Sequence, residues 1–513
     1  MTNESLKSRL KSLKKSGFFD GLVIKRGIEK EFFRVDKKGF ISKKPHPKSL
    51  GSALKNKYIT TDFSEAQIEL VTPTFEDVND LYDFLYSLHV FVANNIEDDE
   101  MLWPFSMPPK IKDENEINLG YYHQSGIGLL KHVYRKGLKV RYGAAMQCVS
   151  GMHYNFSINQ NSFSALIDST DQKNINDAYL GLIRNFKRIF WFVLSEFGQT
   201  NVVDKTFIKN RSHNLKKLNN NDMYSENATS LRMSEIGYQS EAQKSLDIKY
   251  NSLGSFLQKI KHAITAPFEE YKNKGLIDSD GKYHQISDGI IQIENEYYDS
   301  IRPKRSASND LRPYELLKEF GIEYLEIRGV DISPSDITGM SKHHIRFLDL
   351  ILIYCLILPS PKITSEEKIL IDLNEKVSIY EGRSKNSKIS LNGKKVSIRA
   401  ARKDMLENLK NIADYMNESD LFHEAIRHIT QLPKGELPKT SFHKDGIQKS
   451  KSNLAELKSS EGKYIDSIKK EAELSLEELE KMHKDSEEEM NEFVKNYNLN
   501  PVSYTHLTLP TNG

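Results

Sequence analysis

The strand candidates of this chain are separated by helical stretches of very unequal length, and this spacing limits the folds that it can adopt. Alternating apolar and polar residues predict strands at 22–36, 58–72, 152–158, 292–298 and 322–330. Such spacing is too irregular for tandem βαβ units. The sequence therefore predicts an α+β fold built on a mainly antiparallel sheet.

Helical periodicity predicts the segments that surround this sheet. Apolar residues recur at helical spacing in 77–97, 175–197, 253–272 and 342–358, and the chain from 367 onward is mostly helical. Residues 1–17 are basic and weakly periodic, which predicts a short surface helix. The segment 205–227 is rich in Lys and Asn and is predicted to be a long loop.

Bulk composition limits the partners and the compartment. Lysine plus arginine (73) nearly balances aspartate plus glutamate (71), so the charge favours no nucleic-acid partner. The longest apolar run, 347–358, is too short to cross a bilayer, and the N-terminus has no apolar signal region, so we expect no membrane partner. With only Cys148 and Cys355, a disulfide framework is not expected, which favours a reducing, cytoplasmic compartment.

Two carboxylates, Glu29 and Glu31, interrupt the apolar first strand candidate. Residues i and i+2 of a strand point to the same face, so these two like charges would lie side by side. Such a pair is tolerated on a solvated face, or where a hard divalent cation such as Mg²⁺ binds the oxygens. The pair alone does not decide between these two readings.

The second strand candidate is also acidic, because it carries Asp62, Glu65 and Glu69. If it neighbours the first strand, four or five carboxylates converge on one face of the sheet. Their mutual repulsion would be destabilising unless metal ions neutralise it. The Ser-Glu-Ala sequence at 64–66 indicates a bulge or a short break within this strand.

Two further strand candidates carry polar residues that fit the same site. His153 is either a partly buried core histidine or a metal ligand or phosphate contact. Glu326 and Arg328 form either a simple ion pair on a sheet face or a functional pair. In the functional case, Glu326 binds metal and Arg328 contacts a phosphoryl group that is being transferred.

Basic residues elsewhere suggest how a nucleotide could be held. The segment 301–305 is either an exposed positive loop or a triphosphate contact through Arg302 and Lys304. Arg232, together with Tyr238, could bind a substrate carboxylate. The sequence contains neither a P-loop nor a GxGxxG motif after a strand. If ATP is bound, metals and arginines on a sheet would hold it.

Several long motifs of this chain resemble, in the same order, those of the proteobacterial-type glutamate–cysteine ligases. The matching segments are RGIEKEFFRV (26–35), LGSALKNKYITTDFSEAQIELVTP (50–73), DDEMLWPFSMPP (98–109), VYRKGLKVRYGAAMQCVSGMHYNFS (133–157), TSLRMSEIGY (229–238), QIENEYYDSIRPKR (292–305), GIEYLEIRGVDISP (321–334) and EGR (381–383). The resemblance covers roughly residues 20–430.

The resemblance implies a glutamine-synthetase-like α+β fold, in which a mainly antiparallel sheet forms a funnel-shaped active site with many helices around it. It implies ATP-dependent ligation of glutamate to cysteine through γ-glutamyl phosphate, the first step of glutathione synthesis, by a monomer in the cytoplasm. We predict a catalytic domain at 1–445, a charged helical region at 446–500 and a tail at 501–513.

The resemblance also implies roles for single residues. The expected metal ligands, for Mg²⁺ or Mn²⁺, are Glu29, Glu31, Asp62, Glu69, His153 and Glu326. The expected catalytic residues are Glu29, Glu31, Arg232 and Arg328, and the expected nucleotide contacts are Arg302, Lys304 and Arg328. The expected cysteine pocket consists of Phe63, Tyr134, Arg135, Leu138, Gln147, Tyr238 and Tyr298.

Two other readings remain open from the residues alone. The first is a different enzyme on the same fold, either a guanido-type kinase or a plain amide synthetase, because fold shape does not fix the reaction. The second is a charged, helical interaction protein whose acidic strands are only a solvated face. ADP release that depends on cysteine separates the predicted ligase from both.

Overall fold

The computed structural model describes residues 3–123, 126–237, 239–306 and 311–497, and strands from all four parts build its central sheet. The strands are β1 Ile24–Asp36, β2 Ile59–Thr61, β3 Gln67–Val71, β4 Glu100–Leu102, β5 Met152–Ile158, β6 Val202–Asp204, β7 Lys216–Lys217, β8 Asp222–Tyr224, β9 Ile301–Lys304, β10 Tyr324–Val330, β11 Lys388–Leu391 and β12 Lys394–Ser397. The central sheet has the order β2-β3-β1-β5-β10-β9, and β4 pairs with β1. All of these pairs are antiparallel, which confirms the predicted sheet type.

The predicted strand at 58–72 is divided where its Ser-Glu-Ala sequence indicates a break. β2 ends at Thr61 and β3 begins at Gln67, and a tight turn joins them. In this turn Asp62 N donates to Gln67 O at 3.0 Å, and Gln67 N donates to Ser64 O at 2.9 Å. The break therefore places Asp62 at the end of β2 rather than inside a continuous strand.

The predicted strand at 292–298 is wrong. Its centre, Glu294–Glu296, is a single 3₁₀ turn, and the strand in this region is β9. The backbone of the segment bonds locally, since Glu296 N donates to Ile293 O at 3.0 Å. The basic segment 301–305, for which an exposed loop was one reading, thus contains a strand of the central sheet, and Arg302 is buried.

A small second sheet of three strands begins just before the predicted long loop at 205–227 and continues into it. β8 pairs with both β6 and β7 in antiparallel fashion. The turn between β7 and β8 is formed by Asn219, whose side-chain oxygen accepts from Asn221 N at 2.8 Å and Asp222 N at 2.9 Å. Asn favours such turns because its side chain can bond to the backbone two residues on.

Helices surround these sheets and a third, two-stranded sheet in which β11 and β12 pair in antiparallel fashion. They are α1 Asn3–Lys15, α2 Val78–Asn95, α3 Gly126–Tyr142, α4 Gln160–Ile167, α5 Gln172–Phe197, α6 Glu241–Lys244, α7 Leu253–Thr265, α8 Glu269–Lys274, α9 Pro313–Phe320, α10 Lys342–Ile357, α11 Ser365–Glu381, α12 Ile398–Ala413, α13 Ser419–Gln431, α14 Phe442–Lys458 and α15 Ile465–Tyr497. The predicted helix at 253–272 is two helices, because Pro267 holds the preceding residue in an extended conformation.

Helix α10 packs in the core behind the central sheet, where nearly all of its side chains are buried. Its one acidic residue, Asp349, lies in this apolar setting because it is fully partnered. Arg26 Nε on β1 donates to Asp349 Oδ2 at 2.9 Å, and the hydroxyl of Tyr154 on β5 donates to Oδ1 at 2.6 Å. This buried group joins two central strands to α10 and leaves their opposite face for the site.

The charged C-terminal helices pack against the main body of the chain. Both α14 and α15 contact α2. Ser475 on α15 accepts a hydrogen bond from Ser52 N at 2.9 Å, and Ile468 and Ala472 are buried. The predicted tail at 501–513 lies outside the described residues. None of the described helices is long and apolar enough to cross a membrane.

Candidate active site

Cross-strand pairing places the predicted acidic residues on one face of the central sheet. Glu29 on β1 pairs with His153 on β5, and Glu31 on β1 pairs with Glu69 on β3. Side chains of directly paired residues lie on the same face, so these four point in one direction. The structure therefore brings together residues that are far apart along the chain.

Three of these side chains approach closely enough to share one ion. One ligand atom each from Glu29, Glu69 and His153 lie within 4.8 Å of one another. His153 Nδ1 is 3.2 Å from Glu29 Oε2, and His153 Nε2 is 3.4 Å from Glu31 Oε1. Carboxylate oxygens and an imidazole nitrogen at this spacing are a donor set for a divalent cation.

The imidazole of His153 is suited to a ligand role. Burial, followed by the charge of Arg328, lowers the pKa of His153 to about 4, so the ring is neutral at physiological pH. Its Nε2 is buried and has no hydrogen-bond partner within the part of the chain that the structure describes. A buried nitrogen without such a bond is costly unless a ligand binds it.

In the neighbouring carboxyl groups Glu31, Asp62 and Glu69, the effect of burial on the pKa exceeds that of the nearby arginine charges. Burial, and then the charge of Asp62, raises the pKa of Glu31 to about 8. Burial raises the pKa of Glu69 well above its usual value, and the charges of Asp62 and Glu29 add to this shift. Burial also raises the pKa of Asp62. These carboxyls would ionise fully only if cations joined them, so the residues present fit a metal site.

Glu29 differs from Glu31, Asp62 and Glu69 in the direction of its pKa shift. Burial raises the pKa of Glu29, but the hydrogen bond with His153 and nearby positive charge outweigh burial and place the pKa below its usual value. Asn155 Nδ2 donates to Glu29 Oε1 at 2.9 Å. We did not select Asn155 from the sequence, although it lies two residues after His153 and strand alternation puts both on one face.

Glu326 is already paired with cations. Arg302 donates to its Oε2 from Nε at 2.9 Å, and Arg328 Nη1 donates to its Oε1 at 3.1 Å. Burial raises the pKa of Glu326, but the charges of Arg302 and Lys304 outweigh burial and hold it well below its usual value. This carboxylate therefore lies between two arginines.

The acidic residue Glu65 is turned away from the cluster. Its Oε1 accepts from Tyr121 N at 2.5 Å and its Oε2 accepts from His46 N at 2.7 Å. Both oxygens of Glu65 therefore bind backbone N–H groups of loops outside the site. The turn between β2 and β3 separates Glu65 from Asp62 and Glu69, which is why the continuous acidic strand of the sequence does not place all three together.

A small cavity of about 60 Å³ adjoins the carboxylates. It is lined by Glu31, Asp62, Tyr134, Arg135, Leu138, Met146, Gln147, Val149, Asn295, Tyr298 and Arg328. Five predicted pocket residues therefore meet here, and Gln147 Nε2 donates to the Tyr298 hydroxyl at 3.0 Å. Sequence reasoning missed Met146, Val149 and Asn295, although the first two lie within two residues of Gln147 in the chain.

Two predicted pocket residues do not line this cavity in the structure. Phe63 is 1% exposed and packs in the hydrophobic cluster behind the site. Tyr238 lies outside the described residues. A larger cavity of about 470 Å³ shares Tyr298 with the small one, but it is lined by groups such as Lys187 and Asp299 rather than by the carboxylate cluster. The chemistry therefore favours the small cavity.

Arg232 lies directly behind Glu31. Its side chain is buried and donates from Nη1 to Arg328 O at 3.1 Å. Gly151 allows this position, because a Cβ at Gly151 would be 1.9 Å from Arg232 Nη2. The Gly151 N–H donates to Glu31 Oε2 at 3.0 Å. Arg232 is not among the described residues that line the cavity, and its charge lowers the pKa of Glu31 against the stronger effect of burial.

The two predicted nucleotide contacts on β9 differ in exposure. Arg302 is 6% exposed, and besides Glu326 its guanidinium donates to Asn295 O at 3.1 Å and Tyr297 O at 3.0 Å. Lys304 Nζ is 3.8 Å from Glu326 Oε1, and a quarter of its side chain is exposed. Of the two, Lys304 is the one that can reach a ligand from solvent.

Comparisons with known proteins point to one family. The model of the glutamate–cysteine ligase family matches residues 10–377. The glutamate–cysteine ligase of Saccharophagus degradans is 40% identical over 418 residues, which are 80% of this chain and 78% of the relative. The enzyme of the same name from Hahella chejuensis is 41% identical over 387 residues, which are 74% of each chain.

Two solved structures are also similar to this chain. The glutamate–cysteine ligase of Francisella tularensis in complex with AMP has a TM-score of 0.85 and 30% identity, with 95% of this chain and 98% of that chain covered. A bifunctional glutathione synthetase from Pasteurella multocida has a TM-score of 0.64 at 22% identity, covers 88% of this chain and 55% of its own, and agrees in fold. The predicted glutamine-synthetase-like α+β fold is confirmed.

Proposed function

Because this chain belongs to the glutamate–cysteine ligase family, we propose that the carboxylate face of its central sheet is the place where ATP, glutamate and cysteine meet. The enzyme joins the γ-carboxylate of glutamate to the α-amine of cysteine and converts ATP to ADP and phosphate. The product, γ-glutamylcysteine, is the first intermediate of glutathione biosynthesis. The observation that carries the location is the convergence of Glu29, Glu69 and His153 beside the small cavity.

The reaction needs activation because a carboxylate is a poor electrophile. A γ-carboxylate oxygen of glutamate attacks the terminal phosphorus of ATP, and ADP leaves. The cysteine amine then attacks the γ-carbonyl carbon of the acyl phosphate, the bond from carbon to the phosphate oxygen breaks, and the amine loses a proton. The protein's main tasks are to position these groups and to stabilise negative charge.

The acidic cluster fits Mg²⁺, with Mn²⁺ as an alternative. The residues that would hold the ions are Glu29, Glu31, Asp62, Glu69, His153 and Glu326. Bound ions neutralise the triphosphate and the carboxylates, which would otherwise repel each other. Glu326 differs from the others because Arg302 and Arg328 already bind it. We therefore assign it the edge of the metal cluster, where metal and phosphate contacts meet.

Arg328 is suited to the phosphoryl group. It lines the cavity, and its Nη1 lies 3.1 Å from Glu326 Oε1 and 3.5 Å from His153 Nδ1. A planar guanidinium in this position presents fixed donors to the oxygens of a phosphoryl group. Arg232 supports Glu31 from behind Gly151, and Lys304 attracts the triphosphate at the sheet edge.

The small cavity is suited to the cysteine side chain. Tyr134, Leu138 and Tyr298 provide apolar and aromatic walls for a small thiol. Arg135 lies over the Tyr122 ring at 4.5 Å and donates from Nη2 to Thr61 O at 3.2 Å, so its guanidinium is held in place at the cavity wall. There it can attract the α-carboxylate of the amino acid. Phe63 belongs to the same hydrophobic cluster as the wall residue Leu138.

We also assign the enzyme to a reducing compartment, the cytoplasm, as a monomer that takes small-molecule substrates. Cys148 and Cys355 are both free and buried. Free thiols in a chain of this length are typical of proteins in a reducing environment.

ADP release by the purified chain tests the proposed function. With Mg²⁺, ATP, glutamate and cysteine, we expect ADP and phosphate in equal amounts and γ-glutamylcysteine by mass spectrometry. Omission of cysteine should nearly stop ADP release. Steady ADP release with glutamate alone would instead identify a kinase-type reaction, and no ADP release under any of these conditions would refute the ligase assignment.

A further inference from the structure

A buried carboxylate behind the small cavity connects two of its walls. Helix α3 supplies one wall through Tyr134 and Leu138, and the segment 292–298 supplies the other through Tyr298. Glu296 belongs to this second segment, but it is not among the described residues that line the cavity. Its side chain is 0% exposed, as is that of its partner Arg141 near the end of α3.

Each carboxylate oxygen of Glu296 accepts two hydrogen bonds. Oε1 accepts from Arg141 Nη1 at 3.0 Å and from the Tyr142 hydroxyl at 2.6 Å. Oε2 accepts from the backbone N of Gln292 at 2.8 Å and from its side-chain Nε2 at 3.0 Å. A buried charge is stable only when it is paired and hydrogen-bonded in this way. The carboxylate thus links the end of α3 to the segment that carries Tyr298.

Gln292 extends this link to the middle of α3. Its Nε2 also donates to Tyr134 O at 3.2 Å. The close approach requires a glycine, because a Cβ at Gly137 would be 2.0 Å from Gln292 Oε1. The backbone of α3 is therefore held against the 292–298 segment next to the wall residues Tyr134 and Leu138.

The position of Tyr298 also depends on contacts that lead back to Glu296. Its N–H donates to Gln243 Oε1 at 2.8 Å, while Gln243 Nε2 donates to Glu296 O at 2.8 Å. The ring of Tyr142 contacts the ring of Tyr298 edge to face, with centroids 5.8 Å apart. Because the Tyr142 hydroxyl is bound to Glu296, this ring holds Tyr298 in one position.

We propose that Glu296 is a positioning residue that fixes the distance between α3 and Tyr298 and thereby sets selectivity for the cysteine side chain. The inference rests on the proposed function, since it assigns the small cavity to cysteine. Glu296 acts through Tyr134, Leu138 and Tyr298 and touches neither substrate nor nucleotide. Its loss should therefore widen the cysteine site while the metal cluster stays intact.

Steady-state kinetics of Glu296→Gln and Tyr142→Phe test the proposal. For Glu296→Gln we expect the KM for cysteine to rise about tenfold or more, the effect of losing one hydrogen bond to a charged group. The KM values for ATP and glutamate should stay within about twofold of the wild-type values. Discrimination between cysteine and 2-aminobutyrate, which lacks the thiol, should decrease. Tyr142→Phe should show the same pattern at roughly threefold, because the ring remains.

Glu196→Gln is the matched control. Glu196 is equally buried and is bound by Arg402 and Lys434, away from the cavity. The Glu196→Gln change should lower the unfolding temperature without changing the ratio of the KM for cysteine to the KM values for ATP and glutamate. If Glu296→Gln does not fold, Tyr142→Phe decides. Equal changes in all three KM values, or a change in kcat alone, would refute the positioning role. A wild-type enzyme without cysteine-dependent ADP release would instead refute the proposed function.

Discussion

Glu31 on β1 and Glu69 on β3 lie directly opposite each other in an antiparallel pair, on the face of the sheet that carries the site. Like charges in this position destabilise a sheet by up to about 1 kcal/mol. His153 and Glu29 lie on the neighbouring positions, so the repulsion is shared by a cluster rather than by one pair. Ionisation of both carboxyl groups would therefore create an electrostatic conflict that a bound cation would relieve, and each half of this statement can be tested.

Glu69→Gln removes the conflict and the ligand together. In the presence of a chelator, the variant should be as stable as the wild type or more stable, because the raised pKa of Glu69 means that its carboxyl must take up a proton on folding at neutral pH, whereas glutamine need not. Adding Mg²⁺ or Mn²⁺ should raise the unfolding temperature of the wild type far more than that of the variant, because cation binding stabilises the folded state. Ligase activity should fall at least about 100-fold.

Glu65→Gln is the control for this experiment. Glu65 lies in the same acidic segment, but its oxygens bind Tyr121 N and His46 N. Its loss should lower stability and leave the response to Mg²⁺ unchanged. If Glu69→Gln kept the wild-type response to the cation, Glu69 would not be a metal ligand.

Strand alternation was enough to predict that Glu29 and Glu31 share a face, because side-chain direction follows from the period of two. It could not predict their partners. Glu29 and His153 are 124 residues apart, and only the pairing register of β1 with β5 brings them within 3.2 Å. The resemblance to a known family filled this gap in the sequence analysis, since local pattern carries no information about which strands are neighbours.

The region around Arg302 shows where local pattern was misleading. Alternation at 292–298 predicted a strand, but Glu296 and Gln292 bond to each other and hold this segment in a turn. The basic run after it contains the strand β9, whose Arg302 is buried against Glu326. A buried ion pair between separate strands cannot be read from either segment alone, because each residue is polar and looks exposed in isolation.

Arg328→Lys should reduce catalysis while it preserves charge. Arg328 Nη1 donates to Glu326 Oε1 at 3.1 Å, while the rest of the planar guanidinium presents donors to the cavity. A lysine side chain has no such planar set of donors, so it cannot do both. We expect kcat to fall about 100-fold, the usual effect of losing one donor that stabilises the transition state. The KM for cysteine should change little. Steady-state assays with each substrate varied in turn measure both quantities.

The control for Arg328→Lys is Arg305→Lys. Arg305 donates to Gly321 O and Phe320 O at 2.7 Å each, near the surface beyond β9. Its replacement should leave kcat within about twofold of the wild type. A small effect at Arg328, similar to the one at Arg305, would argue against its phosphoryl contact.

Gly151→Ala should disturb both the fold and the site. The added Cβ would lie 1.9 Å from Arg232 Nη2, so Arg232 must move, and Glu31 would lose its position relative to the Gly151 N–H. Overpacking of this kind lowers the free energy of unfolding by about 1–3 kcal/mol. Urea unfolding measures this change, and activity should fall more than stability alone explains. Gly254→Ala on α7, where nothing lies within 4 Å, should keep full activity; equal behaviour of the two variants would contradict the prediction.

The buried His344 should make the enzyme sensitive to acid. Burial, together with the charges of His428, Lys434 and His343, lowers the pKa of His344 to about 3 in the folded chain. Its usual pKa is 6.5. Above pH 6.5 the ring is neutral in both the folded and the unfolded chain, so its full contribution to the free energy of unfolding is present. As the pH falls from 6.5 towards 3, only the unfolded chain takes up the proton, and the free energy of unfolding decreases by about 1.4 kcal/mol per pH unit.

Urea unfolding of His344→Gln between pH 7 and pH 4.5 tests this sensitivity. At pH 7 the variant should be less stable, because the ring packs against Phe197 and its Nδ1 accepts from Ser341 N at 3.1 Å. As the pH falls, the free energy of unfolding of the variant should nevertheless decrease less steeply than that of the wild type. The difference between the two slopes should correspond to the uptake of up to one proton per molecule. The same change at the exposed His262 should leave the slope as it is in the wild type. A wild-type slope in His344→Gln would show that His344 takes up its proton equally in both states.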